Sequence, residues 1–282
     1  MSESQKVAVV TGANKGIGYE IVKGLCKKFN GVVYLTARNA AKGESAVQQL
    51  KLEGLNPKFH QLDITSQDSV DTFKEYIKTT YGGLDLLVNN AAICYLKTAT
   101  EPFGEQAENT FAVNYFGTLR LCDALFPLLR NNAKVVNVSS SAGHLTRIPS
   151  DRRKADLGDP TLTVEKLNAL VKQFLKDAKN GKNVEEGWGN NSYAVSKVSL
   201  TALTFIQQRS FNSEVPNRNI SVNAVHPGYI NTDINGHHGP HSASKGAEAP
   251  LFVALEADFK GKYVWSDSKV LDWYSKTAPR NV

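Results

Sequence analysis

Short apolar runs rich in β-branched residues alternate with helix-compatible segments along most of this sequence. The runs cover residues 6–10, 32–36, 58–62, 84–88, 134–138 and 220–225. Strands that alternate with helices form parallel sheets, and the helices cover both faces of the sheet. The pattern therefore predicts an α/β fold with a doubly wound parallel sheet, in which a last run at residues 262–265 closes one edge.

One large domain accounts for the whole chain. It has 282 residues, 41% of them hydrophobic and 21% charged, which are ordinary values for a globular protein. Residues 19–29 and 200–208 space their apolar side chains as amphipathic helices do. Because no repeat or low-complexity tract interrupts the pattern, we predict a single domain over residues 1–282.

Residues 141–192 form a connection much longer than the roughly two to six residues usual in such folds. Part of this segment, residues 163–180, has an apolar stripe at helical spacing. The stripe consists of Val164, Leu167, Val171, Phe174 and Leu175. A flexible linker would lack such a stripe, so we predict an inserted helix that packs on the domain.

The charge pattern argues against nucleic acids and membranes as partners. The net charge is +6, but the 33 Lys and Arg residues are scattered among 27 acids. No 18-residue apolar run is present, and no basic segment followed by a long apolar stretch opens the sequence. The positive excess favours an anionic small ligand.

Cysteine usage predicts a reducing, cytoplasmic location. The three cysteines, Cys26, Cys94 and Cys122, are odd in number and far apart. This spacing supports neither a disulfide framework nor a C-x-x-C metal or redox site. Each is expected to serve as a small buried apolar side chain.

A glycine-rich turn follows the first predicted strand and opens the first helix. It reads VVTGANKGIGYE over residues 9–20. Gly12 permits a tight turn, Gly16 lets the backbone approach a pyrophosphate, and Gly18 allows close packing of helix and strand. The free N–H groups at the helix start would face the anion. In this setting the turn predicts a dinucleotide site in a Rossmann-type fold.

The choice between NAD and NADP depends on the residue at the end of the second strand. NAD sites favour an acid there, whereas residues 35–39 read LTARN and place Arg38 at that position. Lys15 lies within the glycine turn. Two cations suit a 2′-phosphate, so NADP(H) is the predicted cofactor, although Arg38 could also be an ordinary surface charge.

Tyr193 and Lys197 stand four residues apart in the segment NNSYAVSKVSL, which covers residues 190–200. On a helix they would be one turn apart. A nearby ammonium favours the phenolate, so Lys197 could lower the pKa of Tyr193 and make it a proton donor near neutral pH. Alternatively, the pair is a chance arrangement on a helix surface.

Three histidines cluster in residues 235–246, namely His237, His238 and His241. The flanking glycines and proline, and the lack of a neighbouring Cys or paired carboxylate, favour a mobile loop over a metal site. We therefore predict no metal and a lid that covers the substrate.

Several motifs occur in the order found in short-chain dehydrogenases/reductases, and the chain resembles that family over nearly its whole length. The motifs are TGANKGIG (11–18), NNAA (89–92), Asn114, VNVSS (136–140), YAVSK (193–197) and HPGYINTD (226–233). NNAA departs from the usual NNAG. The insertion before Tyr193, together with YGGLDLLVNNA and EEGW (185–188), is similar to the monomeric NADPH-dependent carbonyl reductases of this family.

The resemblance implies a role for each matching residue. Tyr193 would be the general acid, Lys197 its activator, Ser140 the residue that holds the substrate oxygen, and Asn114 the anchor of a proton-relay water. Ser140 is chosen among the serines at 139–141 because it stands three residues after Asn137. The implied cofactor residues are Gly12, Asn14, Lys15, Gly16, Ile17, Gly18, Arg38, Asp63, Ile64, Asn90, Tyr193, Lys197, Pro227, Gly228, Ile230 and Thr232. The implied substrate residues are Tyr95, Leu96, Lys97, Gln106, Ser140, Tyr193 and Tyr229.

By resemblance, the expected function is the reduction of ketones, aldehydes or quinones by a monomer that uses NADPH. Two alternatives remain open at this point. One is an NADP-dependent alcohol or steroid dehydrogenase that works oxidatively with the same residues. The other is a non-catalytic NADP(H) sensor that signals to a protein partner.

Overall fold

The computed structural model describes residues 5–277, and within this range eight strands form one sheet in the order β3-β2-β1-β4-β5-β6-β7-β8. The predicted domain spans residues 1–282, so its first four and last five residues lie outside the described range. All neighbouring strands are parallel except the last pair. The predicted doubly wound α/β fold is confirmed. The strands are β1 (Val7–Val10), β2 (Val32–Ala37), β3 (Lys58–Gln61), β4 (Leu84–Asn89), β5 (Leu129–Val138), β6 (Ser221–Val225), β7 (Tyr263–Val264) and β8 (Val270–Leu271).

The prediction that residues 262–265 close an edge of the sheet is wrong. β7 lies between β6 and β8, and β8 pairs with it in the antiparallel direction. A tight turn joins the two strands, with Ser268 at a φ of 65°. Since β8 has only two residues, it carries no alternating pattern that the sequence could reveal.

Helices cover both faces of the sheet. A π-helical stretch, Ala112–Gly117, joins α4 to α5. The helices are α1 (Gly16–Lys28), α2 (Ala40–Leu52), α3 (Gln67–Tyr81), α4 (Phe103–Phe111), α5 (Thr118–Leu125), α6 (Asp151–Leu157), α7 (Val164–Lys179), α8 (Ser192–Asn212) and α9 (Ala243–Leu255).

The fully buried strand β1 shows how the two layers form. Its side chains alternate between the faces of the sheet because the side-chain period of a strand is two. Val7 and Val9 join the cluster formed with α3 and α5, and Ala8 and Val10 join the cluster formed with α1, α2 and α9. A central strand buried on both sides in this way needs the continuous apolar run found in the sequence.

The inserted helix is confirmed as α7. Leu167, Val171 and Phe174 are buried, and Val164 and Leu175 pack against the same cluster. The helix lies against α4 and α8. Thr163 caps its first turn by accepting a hydrogen bond from the main-chain N–H of Lys166. The short helix α6, which precedes it, was not predicted.

A buried arginine holds the insertion together. The guanidinium of Arg153 lies 4.1 Å from the ring centre of Trp188. Its Nε donates to the main-chain oxygen of Glu186 at 3.0 Å, and its Nη2 lies 3.2 Å from the Glu186 carboxylate. The indole of Trp188 donates to Asp177 on α7 at 2.9 Å. These contacts join α6, α7 and the segment before α8 into one unit.

Among residues 5–277, no helix is both long and apolar enough to cross a membrane.

Candidate active site

Most of the predicted cofactor residues meet at the carboxyl edge of the sheet, where open α/β sheets bind their ligands. A cavity of about 520 Å³ lies there. Its lining includes the predicted residues Gly12, Asn14, Lys15, Gly16, Ile17, Gly18, Arg38, Asp63, Ile64, Asn90 and Thr232.

The remaining predicted cofactor residues lie outside the lining of this cavity. Tyr193 and Lys197 are in the first turns of α8, and Pro227, Gly228 and Ile230 follow the end of β6. Both places lie at the same edge of the sheet, next to the end of β5. The structure thus divides the predicted residues into a cavity group and a group at the start of α8 and the end of β6.

The glycine turn has the backbone geometry that a close ligand approach requires. Gly12 and Gly16 both have a φ of 60°, a backbone angle that residues other than glycine rarely adopt. A Cβ atom on Gly12 would lie 2.8 Å from the Cα of Ala91, and one on Gly18 would lie 2.4 Å from the Nδ2 of Asn90. Any side chain at Gly12 or Gly18 would therefore push the turn away from β4.

The first turn of α1 suits an anion. Lys15 stands at its N-cap without a side-chain capping bond, and the turn carries no acidic residue. The N–H groups at a helix start carry partial positive charge and need an acceptor. Together with the glycine geometry, this arrangement fits the pyrophosphate of a dinucleotide.

Two cations line the cavity, as the sequence predicted. Arg38 follows β2, and Lys15 lies in the glycine turn. The Nζ of Lys15 donates to the carboxylate of Asp233, which lines the same cavity. This partner was not predicted.

Helix α8 places Tyr193 and Lys197 side by side. Asn191 caps the helix by accepting from the main-chain N–H of Ala194 at 2.9 Å. The Nζ of Lys197 lies 5.7 Å from the centre of the Tyr193 ring and donates to the main-chain oxygen of Val138 at 2.8 Å. The lysine is thereby fixed between α8 and the end of β5.

Ser140 is the serine of the 139–141 run that reaches Tyr193. Its side chain lies close enough to that of Tyr193 to lower the pKa of the phenol. Ser139 points elsewhere, because its hydroxyl pairs with that of Thr201 at 2.8 Å in the buried core. A site built on Tyr193 can therefore use Ser140 and not Ser139.

Asn114 lies in the π-helical stretch and joins three parts of the site. Its side-chain amide accepts from the N–H of Ile93 at 2.8 Å and donates to the oxygen of the same residue at 2.9 Å. The Nδ2 also donates to the hydroxyl of Ser196 on α8 at 3.1 Å. π-Helical stretches occur often at functional sites. Here it brings Asn114 to the loop after β4 and to the helix that carries Tyr193.

A comparison with known protein families matches residues 6–150 to the family described as short chain dehydrogenase. The chain belongs to the short-chain dehydrogenases. Carbonyl reductase (NADPH) 1 of Bos taurus is 42% identical to it over 278 residues, which cover 97% of this chain and 100% of that protein. Carbonyl reductase (NADPH) 3 of Rattus norvegicus is 42% identical over 257 residues, which cover 90% of this chain and 92% of that protein.

Solved structures of other reductases share the fold. Salutaridine reductase from Papaver somniferum has a TM-score of 0.83 and 32% identity, and the match covers 92% of this chain and 99% of that one. Menthone neomenthol reductase from Mentha piperita has a TM-score of 0.79 and 30% identity, covering 93% of this chain and 99% of that one.

The surroundings of Tyr193 favour the neutral phenol over the phenolate, which is opposite in direction to the shift expected from Lys197. Burial raises the pKa of Tyr193 above its usual range, and the nearby Ser140 side chain opposes that rise only in part. Burial also lowers the pKa of Lys197 to about 8. Desolvation is the largest influence on the pKa of both groups.

Three of the predicted substrate residues are exposed near the site. Leu96 and Lys97 lie on the loop after β4, and Tyr229 lies on the segment after β6. A Cβ atom on Gly236 would lie 3.5 Å from the Leu96 side chain, so the two segments meet. Exposed apolar side chains at this point could contact an apolar substrate.

Two other predicted substrate residues are engaged with the protein itself. The hydroxyl of Tyr95 accepts from the Asn109 side chain at 2.9 Å. The amide of Gln106 donates to the main-chain oxygen of Glu101 at 2.8 Å, which ties α4 to the preceding loop. The structure does not bring Gln106 into the cavity, and its role in substrate binding stays a prediction.

Two residues of the 235–246 segment, His237 and Ala243, line the dinucleotide cavity, and a lid over the substrate stays a prediction. Ile230 and His241 form a bridge at its base. His237 contacts Asp233 at 2.9 Å and Asn231 at 2.8 Å. Asn231, Asp233 and His237 all line the same cavity as the glycine turn.

Three residues of the site were not predicted to act there. Asp233 contacts Lys15, and Tyr263 on β7 donates to the main-chain oxygen of Ser140 at 2.6 Å. Cys94 lies near enough to Tyr193 and Lys197 to influence the pKa of both. No local pattern reveals the first two contacts, since their partners are more than 100 residues apart in the chain.

Proposed function

We propose that this short-chain dehydrogenase reduces ketones, aldehydes and quinones to alcohols with NADPH. The observation that carries the proposal is the placement of Tyr193, Ser140 and Lys197 together at the carboxyl edge of the sheet, beside a cavity with a pyrophosphate-binding turn. Four relatives named above are reductases, and the two carbonyl reductases carry NADPH in their names. These names favour reduction over the oxidative and non-catalytic alternatives.

NADPH would be held by the glycine-turn amides, with Lys15 and Arg38 near its 2′-phosphate and Asn90 at the end of β4. When bound, it supplies the hydride that reduces the carbonyl carbon. Asn90 also stabilises the turn, because its side chain donates to the main-chain oxygens of Thr11 and Gly12.

Tyr193 would give its hydroxyl proton to the substrate oxygen, so that hydride on carbon and proton on oxygen complete the alcohol. Its raised pKa keeps the phenol protonated at neutral pH, as an acid must be before it donates. Ser140 would hydrogen-bond the same oxygen. Lys197 would stabilise the negative charge that develops there, and Asn114 would anchor the water that returns a proton.

The protein would act as a cytoplasmic monomer. All three cysteines are unpaired, which suits a reducing compartment. Helix α7 packs on α4 and α8. By the family resemblance, the insertion covers a surface that relatives without it often use to form oligomers. A single species near 31 kDa in light scattering is expected for the 30.8 kDa chain, and a stable tetramer would contradict the proposal.

The function can be tested with purified protein and a panel of quinones, aromatic ketones and aldehydes. The loss of NADPH absorbance is followed beside the same assay with NADH. Turnover with several members of the panel and a strong preference for NADPH are expected. Failure to bind NADPH would refute the proposal, and binding without any turnover would favour the sensor.

A further inference from the structure

Asp233 lines the same cavity as the two cations predicted to bind the 2′-phosphate. Its Oδ2 accepts a hydrogen bond from the Nζ of Lys15, 218 residues away in the chain. Both residues line the cavity together with Arg38. Lys15 holds the pKa of the Asp233 carboxyl below its usual range, so the carboxylate is ionised at neutral pH.

The loop that carries Asp233 also fixes the position of its carboxylate. The Oδ1 of Asp233 contacts the Nε2 of His237 at 2.9 Å, and the Nδ1 of that histidine contacts Asn231 at 2.8 Å. Asp233 begins a short 3-10 turn that ends at Asn235. The carboxylate would therefore remain at the cavity edge even if the flexible Lys15 side chain moved away.

The other acid in the cavity lining has different partners. Asp63 accepts from the N–H of Thr65 at 2.9 Å and from its hydroxyl at 2.6 Å. Asp233, in contrast, pairs with one of the two cations that would meet a 2′-phosphate. Its negative charge therefore opposes the feature that selects NADP(H).

We propose that Asp233 weakens the preference of the site for NADP(H) over NAD(H) by competing with the 2′-phosphate for Lys15. The inference rests on the proposed function, in which Lys15 and Arg38 bind that phosphate. NAD(H) has no 2′-phosphate, so the competition acts on NADP(H) alone.

A comparison of the two cofactors separates this effect from the mechanical role of the ion pair. Lys15 and Asp233 also join the glycine turn to the loop after β6, and loss of that link would change the affinity for both cofactors alike. Only the ratio of the two dissociation constants measures how much the 2′-phosphate contributes to binding. That ratio is therefore the quantity to measure.

The test uses the full chain and calorimetric titration with NADP⁺, NAD⁺, 2′,5′-ADP and 5′-ADP. In Asp233→Asn, we expect the preference for each 2′-phosphorylated ligand over the matching ligand without that phosphate to rise roughly threefold to fivefold, the upper end of the range for an exposed charge pair. Glu248→Gln is the matched control, because Glu248 pairs with Lys245 on α9 and is similarly exposed, at 58% against 54% for Asp233. The control should leave the preference unchanged.

A double variant shows whether Asp233 acts through Lys15. In a Lys15→Gln background, Asp233→Asn should change the preference by less than about twofold, because the competed cation is gone. An unchanged or reduced preference in Asp233→Asn alone would overturn the inference while leaving the proposed function intact. If the unaltered protein binds neither NADP⁺ nor 2′,5′-ADP, the inference about Asp233 and the proposed function are both refuted.

Discussion

The ammonium of Lys197 lies 5.7 Å from the centre of the Tyr193 ring, one turn away on α8, and donates to the main-chain oxygen of Val138. Burial acts on both members of the pair. It raises the pKa of Tyr193 and lowers that of Lys197 to about 8. The site thus combines a phenol that stays protonated with a cation close to its titration point.

Replacement of the phenol hydroxyl tests the proton donor. Tyr193→Phe should lower kcat by about 10²- to 10⁴-fold, the usual contribution of a positioned acid. The affinity for NADPH should change little, because the glycine turn and the cations remain. Steady-state rates and a fluorescence titration of NADPH measure the two quantities. A variant that keeps more than a tenth of the original kcat would exclude Tyr193 as the acid.

The lowered pKa of Lys197 predicts an alkaline limit to activity. The lysine is protonated below about pH 8 and loses its charge as the pH rises through that value. Tyr193 keeps its proton over the same range, since its own pKa is raised. We therefore expect kcat/KM for NADPH, which reports the free enzyme, to fall above about pH 8. A profile that stays flat to about pH 9.5 would contradict this assignment.

The buried Arg153 should contribute strongly to stability. Arg153→Met removes the guanidinium that lies 3.9 Å from the Asp177 carboxylate and 3.2 Å from the Glu186 carboxylate, and the buried Asp177 then has no cation in contact among residues 5–277. Breaking a buried charge network in this way costs about 3–5 kcal/mol, measurable as the free energy of unfolding in urea.

The neighbouring Arg152 supplies the control for that experiment. It contacts the same Glu186 at 3.3 Å, but its side chain is 64% exposed, against 7% for Arg153. Arg152→Met should cost less than about 1 kcal/mol, as exposed ion pairs do. Equal losses for the two variants would show that burial of Arg153 does not matter.

Tyr263 should act on the reaction through Ser140. Tyr263→Phe removes the donor to the main-chain oxygen of Ser140 and leaves that oxygen without this bond. Because this hydrogen bond helps to fix the backbone at Ser140, we expect kcat to fall about threefold to tenfold. The dissociation constant of NADPH should stay the same. Tyr34→Phe is the matched control, since it removes a buried hydroxyl that bonds Tyr76 at 2.7 Å on the far side of β1. Equal kcat values for the two variants would exclude a positioning role for Tyr263.

The strands, the glycine turn and the insertion follow from local sequence. Alternation of short apolar runs with helical periodicity was enough to predict β1 to β6 and the doubly wound arrangement. The stripe from Val164 to Leu175 predicted α7, because one face of a helix repeats every three or four residues. β8 and α6 were missed because each is too short to leave a pattern of its own. The π-helical stretch at Asn114 was missed because its residue spacing is too similar to that of an ordinary α-helix.

The candidate site shows where local reasoning stops. Motif order and spacing pointed to Tyr193, Lys197, Ser140 and Asn114, and the structure places all four at one edge of the sheet. Their individual roles stay proposals. The sequence also predicted the cations Lys15 and Arg38, but not the carboxylate that meets Lys15.

By itself, the sequence determined the fold class and the residue types available for chemistry, because both depend on neighbours within a few turns of the chain. The tertiary structure decided which groups touch and how deeply they are buried. Asp233 reaches Lys15, and Tyr263 reaches Ser140, only after the parallel strands bring distant loops to one edge. The direction of the Tyr193 pKa shift was decided there too, since the free energy cost of desolvation depends on everything packed around the phenol and not on the lysine four residues away.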